Sequence, residues 1–287
     1  MNTCNRGVVL RWTASALGAL ATIATMSAMG QSSDDIQSAL DTAHAKYQNL
    51  EEGKNADYIP ALAKVDPNIF GIALVTTDGE VYTAGDIESE VSIQSISKVF
   101  TMAKVMEEQG PDAILKRIGV DATGMRFNSI VSVEFAEQAL GGPEINPLVN
   151  PGAITATSMV QGADRDEIWD KILSFHSAFA GRPLSVNQEV FESEAATNQR
   201  NQAIAALMYA YGYIKDHPQR ATDIYTEQCS INVNAKDLAV MAATLANEGT
   251  NPVTGERVMT ARYVPEVLAV MATAGLYDDS GKWLYRT

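Results

Sequence analysis

Ser95-Ile96-Ser97-Lys98 is the one place in the 287-residue chain where a nucleophile and a base stand at a working spacing. A serine hydroxyl attacks well only when a neighbour takes its proton, and a lysine three residues on along a helix lies on the same face one turn away. At the opening of a helix, the unpaired N–H groups and the dipole also favour negative charge developing on Ser95. Lys98 must be neutral to act as a base, so burial or a cationic neighbour has to lower its pKa. Taken alone, S-x-x-K also reads as a capping serine followed by a solvated lysine.

A second group of polar residues lies outside the amphipathic stripes. Asn150 stands in Val149-Asn150-Pro151-Gly152-Ala153, where proline and glycine predict an irregular backbone just before a helix. Glu194, Asn198, Arg200 and Asn201 crowd one short stretch, Tyr225 precedes Thr226-Glu227-Gln228-Cys229-Ser230, and Tyr277 lies in Gly275-Leu276-Tyr277-Asp278. Each by itself also reads as a cap, a turn or a half-buried aromatic. His44, His176 and His217 are far apart and make no metal-binding spacing. Cys229 reads as a buried, inert thiol.

These residues need elements to hold them. Asp34 to Gly53 has helical apolar spacing, with Ser33 or Asp34 as its cap. Phe70 to Thr77 and Glu80 to Ala84 read as strands joined by Asp78-Gly79, a strong hairpin signal. From Ser95 onward the chain is mostly helical, with helices expected at 98–108, 112–118, 153–161, 164–180, 200–215, 221–228, 235–247 and 261–274. Stripes such as Leu238, Met241, Ala242 and Leu245 are core faces, and Asp164-Arg165-Asp166-Glu167 reads as a helix start.

Residues 1–30 carry Arg6 and Arg11, no acidic residue, and an apolar run from Ala14 to Met29. This reads as a signal peptide cut near Gly30, with an uncleaved anchor as the other reading, and it predicts an exported, periplasmic or secreted protein. No lipobox-like cysteine follows the run, since Cys4 lies before it, so no stable membrane association is expected after cleavage. Residues 31–287 are long enough for one large domain. Without the two arginines of the leader they carry a net charge of −16, against −14 for the whole chain. Such acidity argues against nucleic acid and for a small-molecule protein. With Cys229 as the one cysteine left, no internal disulfide can form.

Taken together, several segments resemble the serine-dependent glutaminases, a branch of the β-lactamase-like fold. They are Asn55 to Ala63, Ser92 to Phe100, Gly124 to Ser129, Asn146 to Ala153, Ser193-Glu194 with Arg200-Asn201, Gln228-Cys229-Ser230, Met241 to Asn247 and Gly275 to Asp278. The resemblance runs in unbroken order from about residue 54 to about residue 281. It implies an α+β fold of the β-lactamase/transpeptidase type, with an antiparallel sheet and a large helical region. It also implies L-glutamine as substrate, no metal, no organic cofactor and a homo-oligomer.

By the same resemblance, Ser95 matches the nucleophile and Lys98 its proton acceptor. Asn150, Glu194 and Asn201 match the residues that hold the substrate's α-amino and α-carboxylate groups. Tyr225 and Tyr277 match pocket tyrosines, Tyr225 as a proton relay, and Tyr58 matches a lining residue at the mouth. The implied reaction is acyl transfer through a glutamyl-serine ester, which water then opens.

The family pattern continues past the tyrosine motif into a basic, glycine-rich segment and C-terminal strands, for which the sequence to Thr287 offers no match. The expectation is therefore a C-terminally truncated domain lacking one oxyanion donor, with the 70–84 hairpin left with an unpaired edge and an uncovered apolar face. Pro151 replaces the family's usual alanine and removes an N–H beside Asn150. Three alternatives follow: a truncated, inactive homologue, a non-catalytic amino-acid-binding protein, and a penicillin-recognising serine enzyme. The last also needs a K-T-G-like strand, which is absent.

Overall fold

The computed structural model describes residues 32–142 and 144–287; the segment read as a signal peptide lies outside the described residues. The chain opens with α1 (Ser33–Tyr47) and the hairpin β1 (Gly71–Val75) and β2 (Val81–Gly85). A short β3 (Val91–Ser92) then leads into α2 (Ser97–Gln109) and α3 (Pro111–Arg117). Next come α4 (Ile130–Phe135), which runs on through a π-type turn, α5 (Asn150–Met159), α6 (Arg165–Ala180), α7 (Gln188–Ala195), α8 (Gln199–Ala210) and α9 (Pro218–Cys229). The chain closes with β4 (Asn232–Val233), α10 (Ala235–Ala246), α11 (Val264–Ala274) and α12 (Ser280–Arg286). This is the expected α+β arrangement: a large helical region beside small antiparallel sheets. Among the described residues, no helix is long and apolar enough to cross a membrane.

Local chemistry explains many of the boundaries. The cap of α1 is Ser32, one residue before the expected position, because its hydroxyl accepts from Asp35 N–H while the Asp35 carboxylate accepts from Ser32 N–H. Asn234 and Asp237 make the same reciprocal pair at α10. In the hairpin, Val75 pairs with Val81 and Thr76 N–H bonds Glu80 carbonyl, so the loop holds three residues rather than two. Gly79 ends that loop at φ +92°, the left-handed position such loops require.

Three expectations are corrected. Asn150, Pro151 and Gly152 are the first turn of α5, not an irregular lead-in. Proline suits that turn because its missing N–H would have no helical acceptor there, so Pro151 costs the helix no hydrogen bond. Gly152 is required for another reason: a Cβ at this position would sit 2.0 Å from the Asn146 carbonyl oxygen. The α8 helix stops at Ala210, five residues early, where Gly212 at φ +78° lets Tyr213 and Ile214 N–H both turn back to the Met208 carbonyl. Among the described residues the hairpin keeps unpaired edges, as expected, but its faces are not bare: α1 packs along β2 and α10 along β1, although Leu74 and Val81 stay partly exposed. The helices α4, α7 and α12 were not expected from the sequence.

One continuous core joins α2, α5, α6, α9 and α11, in which Phe179 packs against Phe100 in a tilted pair and against Phe175 edge to face. A smaller cluster of Ile59, Ala61, Leu62 and Val190 fixes the segment around Tyr58 against α7. The β3/β4 pair bears most directly on the site. Ile93 N–H reaches Ile231 carbonyl at 2.8 Å, and Asn187 N–H reaches Ser230 carbonyl at 2.8 Å. Three strand-like segments thereby lock the start of α2, the end of α9 and the start of α7 together, and each of these helices carries a predicted site residue.

Candidate active site

Ser95 sits in a single 3-10 turn, Gln94–Ile96, that feeds directly into α2. Gln94 just before it takes φ +49° without being glycine, a left-handed conformation that costs about 1 kcal/mol. Held strain of that kind is a feature of functional turns. The Ser95 N–H lies ahead of the first closed turn bond, Ile96 N–H to Ile93 carbonyl, so it belongs to the donors a helix start leaves free.

Lys98 follows on the same face but is not solvated as the plain motif would allow. Its side chain is 1% exposed, and Nζ donates to Leu148 carbonyl at 3.1 Å and to Asn150 Oδ1 at 2.7 Å. The amine also lies 5.2 Å from the Tyr277 ring centre and 5.8 Å from that of Phe127. Burial pulls its pKa down to about 8, against the opposing influence of Cys229 and Glu194. Among the described hydrogen bonds none joins Lys98 to Ser95 directly.

Asn150 is the hub. It sits at the start of α5, where its backbone N–H is fixed by Phe127 carbonyl at 2.7 Å. Its side-chain oxygen accepts from Lys98 and, at 3.3 Å, from the Tyr225 hydroxyl, while its nitrogen donates to Asn201 Oδ1 at 2.9 Å. Tyr225 projects from α9 and is buried, which pushes its phenol well above the ordinary range and keeps it protonated. Tyr277 has φ +55°, and its ring packs on Phe127 at 5.4 Å. Burial raises its phenol pKa, and a contact with Ser95 offsets part of that rise.

Glu194 at the end of α7 is buried, and its Oε2 has no hydrogen-bond partner. Burial raises its pKa to about 7, opposed by a hydrogen bond from Gln94 and by the charge of Lys98. An unpaired buried carboxylate oxygen is costly, which makes it a receptor for a cationic donor.

All of this opens on one cleft of about 630 Å³, lined by Tyr58, Ser95, Asn150, Glu194, Asn201 and Tyr225 among others. Lys98 lies directly behind Asn150, and Tyr277 beside Ser95 and Lys98. The eight residues singled out from the sequence therefore converge on one place. Tyr58 stands at the rim, 66% exposed. Gln94, Arg126, Phe127, Asn198 and Asp278 also line or support the cleft but had no role assigned from the sequence. Their signal was present in Ser92 to Phe100, Gly124 to Ser129, the Glu194 to Asn201 stretch and Gly275 to Asp278, yet nothing local distinguishes a lining side chain from a solvated one. Cys229 is buried at the cleft wall, with burial pushing its thiol up to about 12. His176 is buried in the core, not beside other ligands, and burial lowers it to about 4. Among the described residues, no cluster suited to a metal ion is found.

Comparison with known proteins gives a consistent picture. A sequence family described as "Glutaminase" matches residues 53–287. A glutaminase of Colwellia psychrerythraea is 49% identical over 251 residues, which is 88% of this chain and 79% of the relative. A glutaminase of Brucella canis is 47% identical over 257 residues, covering 90% of this chain and 80% of the relative. Among solved structures, one described as a probable glutaminase superposes with a TM-score of 0.85 at 43% identity, covering 89% of this chain and 81% of the other. A crystal structure of Mglu in its glutamate form superposes with a TM-score of 0.81 at 35% identity, over 87% of this chain and 56% of that one.

Proposed function

Because the chain belongs to the glutaminase family, we infer that it hydrolyses the side-chain amide of L-glutamine to L-glutamate and ammonia, with Ser95 as the nucleophile. The observation that carries this reading is the unpaired Oε2 of buried Glu194 in the same cleft as Ser95. It asks for an ammonium, and a free amino acid supplies one. A related structure obtained in a glutamate form supports the same ligand class here.

The chemistry follows from how Lys98 is held. A neutral amine has two N–H donors and one lone pair. Leu148 carbonyl and Asn150 Oδ1 take the two donors, which leaves the lone pair for the Ser95 hydroxyl one turn back. Ser95 Oγ then adds to the carboxamide carbon, and the Ser95 N–H faces the developing oxyanion. The proton taken by Lys98 ends on the departing ammonia. Tyr225, whose phenol stays protonated and bonds the same Asn150 oxygen, serves as the relay. A water molecule opens the resulting glutamyl ester by the reverse use of the same groups. With the Asn201 oxygen turned to Asn150 Nδ2, the Asn201 amide nitrogen is oriented to donate to the substrate carboxylate, beside the second N–H of Asn150.

Export to the periplasm or beyond rests on the sequence of residues 1–30, and homo-oligomeric assembly rests on the family resemblance; both are part of this proposal. The test is ammonia release from L-glutamine by the purified protein beside Ser95→Ala. Release that disappears in the variant supports the reading. Glutamine binding by the wild type with no release would instead make it a binding protein.

A further inference from the structure

Behind the cleft wall lies a second polar cluster that does not line the cleft. Ser97, Thr101, Thr157 and Gln228 are all fully buried and come from α2, α5 and α9. Gln228 Oε1 accepts from Thr101 Oγ1 at 2.8 Å, and Thr157 Oγ1, whose one proton goes to the Ala153 carbonyl at 3.0 Å, lies 3.3 Å from the same oxygen. Nε2 points at Ser97 Oγ, 3.3 Å away. Ser97 in turn donates its single proton to the Gln94 carbonyl at 2.7 Å. Gln94 is the left-handed residue immediately before Ser95.

We propose that Gln228 is a positioning residue for acyl transfer: through Ser97 it holds the Gln94 carbonyl, and with it the turn that presents Ser95 to Lys98. This inference rests on Ser95 being the nucleophile. A serine hydroxyl alone can rotate among acceptors. Donation from Gln228 occupies one side of Ser97 Oγ and leaves its proton directed at Gln94. His176 Nε2 lies 3.3 Å from the Ser97 carbonyl, so Ser97 is contacted at backbone and side chain together. The Ser97 backbone N–H also reaches the Gln94 carbonyl, so the hydroxyl supplies its second bond; losing that bond loosens the strained residue, which turns the peptide joining it to Ser95 and moves both the hydroxyl and the N–H. Gln228 touches none of Asn150, Glu194 or Asn201 through a described hydrogen bond, so substrate binding is left alone.

The experiment measures kcat, KM and thermal unfolding for the whole chain as wild type, Ser97→Ala, Gln228→Leu and the double variant. A control is Thr244→Val, a buried threonine bonded to the Val240 carbonyl and lining no part of the cleft. Each single variant is expected to lower kcat by about tenfold or more with KM within about twofold. The double variant is expected to be no worse than the poorer single, because both break one chain of contacts. The control loses thermal stability but keeps its kcat. Losses that multiply, a change confined to KM, or an unchanged kcat in Ser97→Ala would each overturn the proposal. If Gln228→Leu does not fold, Ser97→Ala decides by the same kcat criterion. A wild type that releases no ammonia overturns the functional reading and this inference with it, whereas an active wild type indifferent to Ser97→Ala overturns this inference alone.

Discussion

The amine of Lys98 lies 2.7 Å from Oδ1 of Asn150, 52 residues further along the chain and at the start of a different helix. The same oxygen receives the Tyr225 hydroxyl. One side-chain amide thus orients Lys98 and Tyr225, the proposed base and relay, together, while its nitrogen sets Asn201.

The first consequence concerns pH. With the Lys98 pKa lowered to about 8 by burial, the neutral base accumulates as pH rises through that value. The kcat for L-glutamine should therefore climb with pH and level off above about 8. Lys98→Arg keeps the charge but can never be neutral, so kcat should fall at least about a thousandfold at every pH. A pH–rate series on both proteins checks this.

Glu194 sets up a trade between stability and binding. Its pKa in the folded protein is raised to about 7 from 4.5. Between those values the unfolded chain is ionised and the folded one is not, so stability is lost as pH rises through this window. Glu194→Gln removes that loss. Its melting temperature should exceed the wild type's by a few degrees at pH 8 and match it near pH 4.5. The same variant should raise KM at least about tenfold, because the substrate ammonium loses its partner. Calorimetry at the two pH values and steady-state kinetics give both readouts.

Tyr225→Phe keeps the ring and deletes the proton. Since Asn150 Oδ1 retains Lys98, the base stays oriented. The expected result is a kcat lower by about a hundredfold with KM changed by less than about threefold. A pre-steady-state burst should shrink with it, because ammonia departure belongs to acylation.

Gly152→Ala tests the packing at the start of α5. The added methyl would sit 2.0 Å from the Asn146 oxygen and 2.9 Å from Ile118 Cγ2, so backbone must move. Overpacking of this kind costs about 3 kcal/mol, or roughly 6–12 °C in melting temperature for a domain of this size. Circular dichroism melts read it directly, and Asn150 on the same turn should carry the disturbance into a lower kcat.

Cys229 should be silent to alkylation. Its thiol is buried and held protonated up to about 12, so iodoacetamide at pH 8 should label it only after unfolding. Intact-mass measurement with and without denaturant distinguishes the two states.

Much of the helical framework was legible in the chain because the signals are local. The Asp164 cap of α6, the stripe on α10 and the Asp78-Gly79 turn depend on neighbours within a few residues. The α7 helix was missed for the converse reason. Only Val190 and Glu194 are buried on its two turns, too short a stretch to read as a helix from the sequence, and it owes its place to Asn187 as cap and to the Ile59–Leu62 cluster. Gln228 likewise had no role of its own in the sequence beyond its place in the Gln228-Cys229-Ser230 segment, and only the approach of α2 and α5 reveals it as buried and bonded at both ends of its amide.

Sequence by itself put forward the candidate reacting groups: a serine and a lysine one turn apart, with the asparagines, tyrosines and glutamate in an order matching a known family. Spacing along a helix is local geometry, and residue types are chemistry, so both are written in the chain. What only the tertiary structure decided is the state of those groups. The neutral tendency of Lys98, the raised carboxyl of Glu194 and the protonated phenol of Tyr225 all come from burial. Burial is set by segments up to a hundred or more residues apart closing over one cleft, and desolvation has no counterpart in a linear sequence.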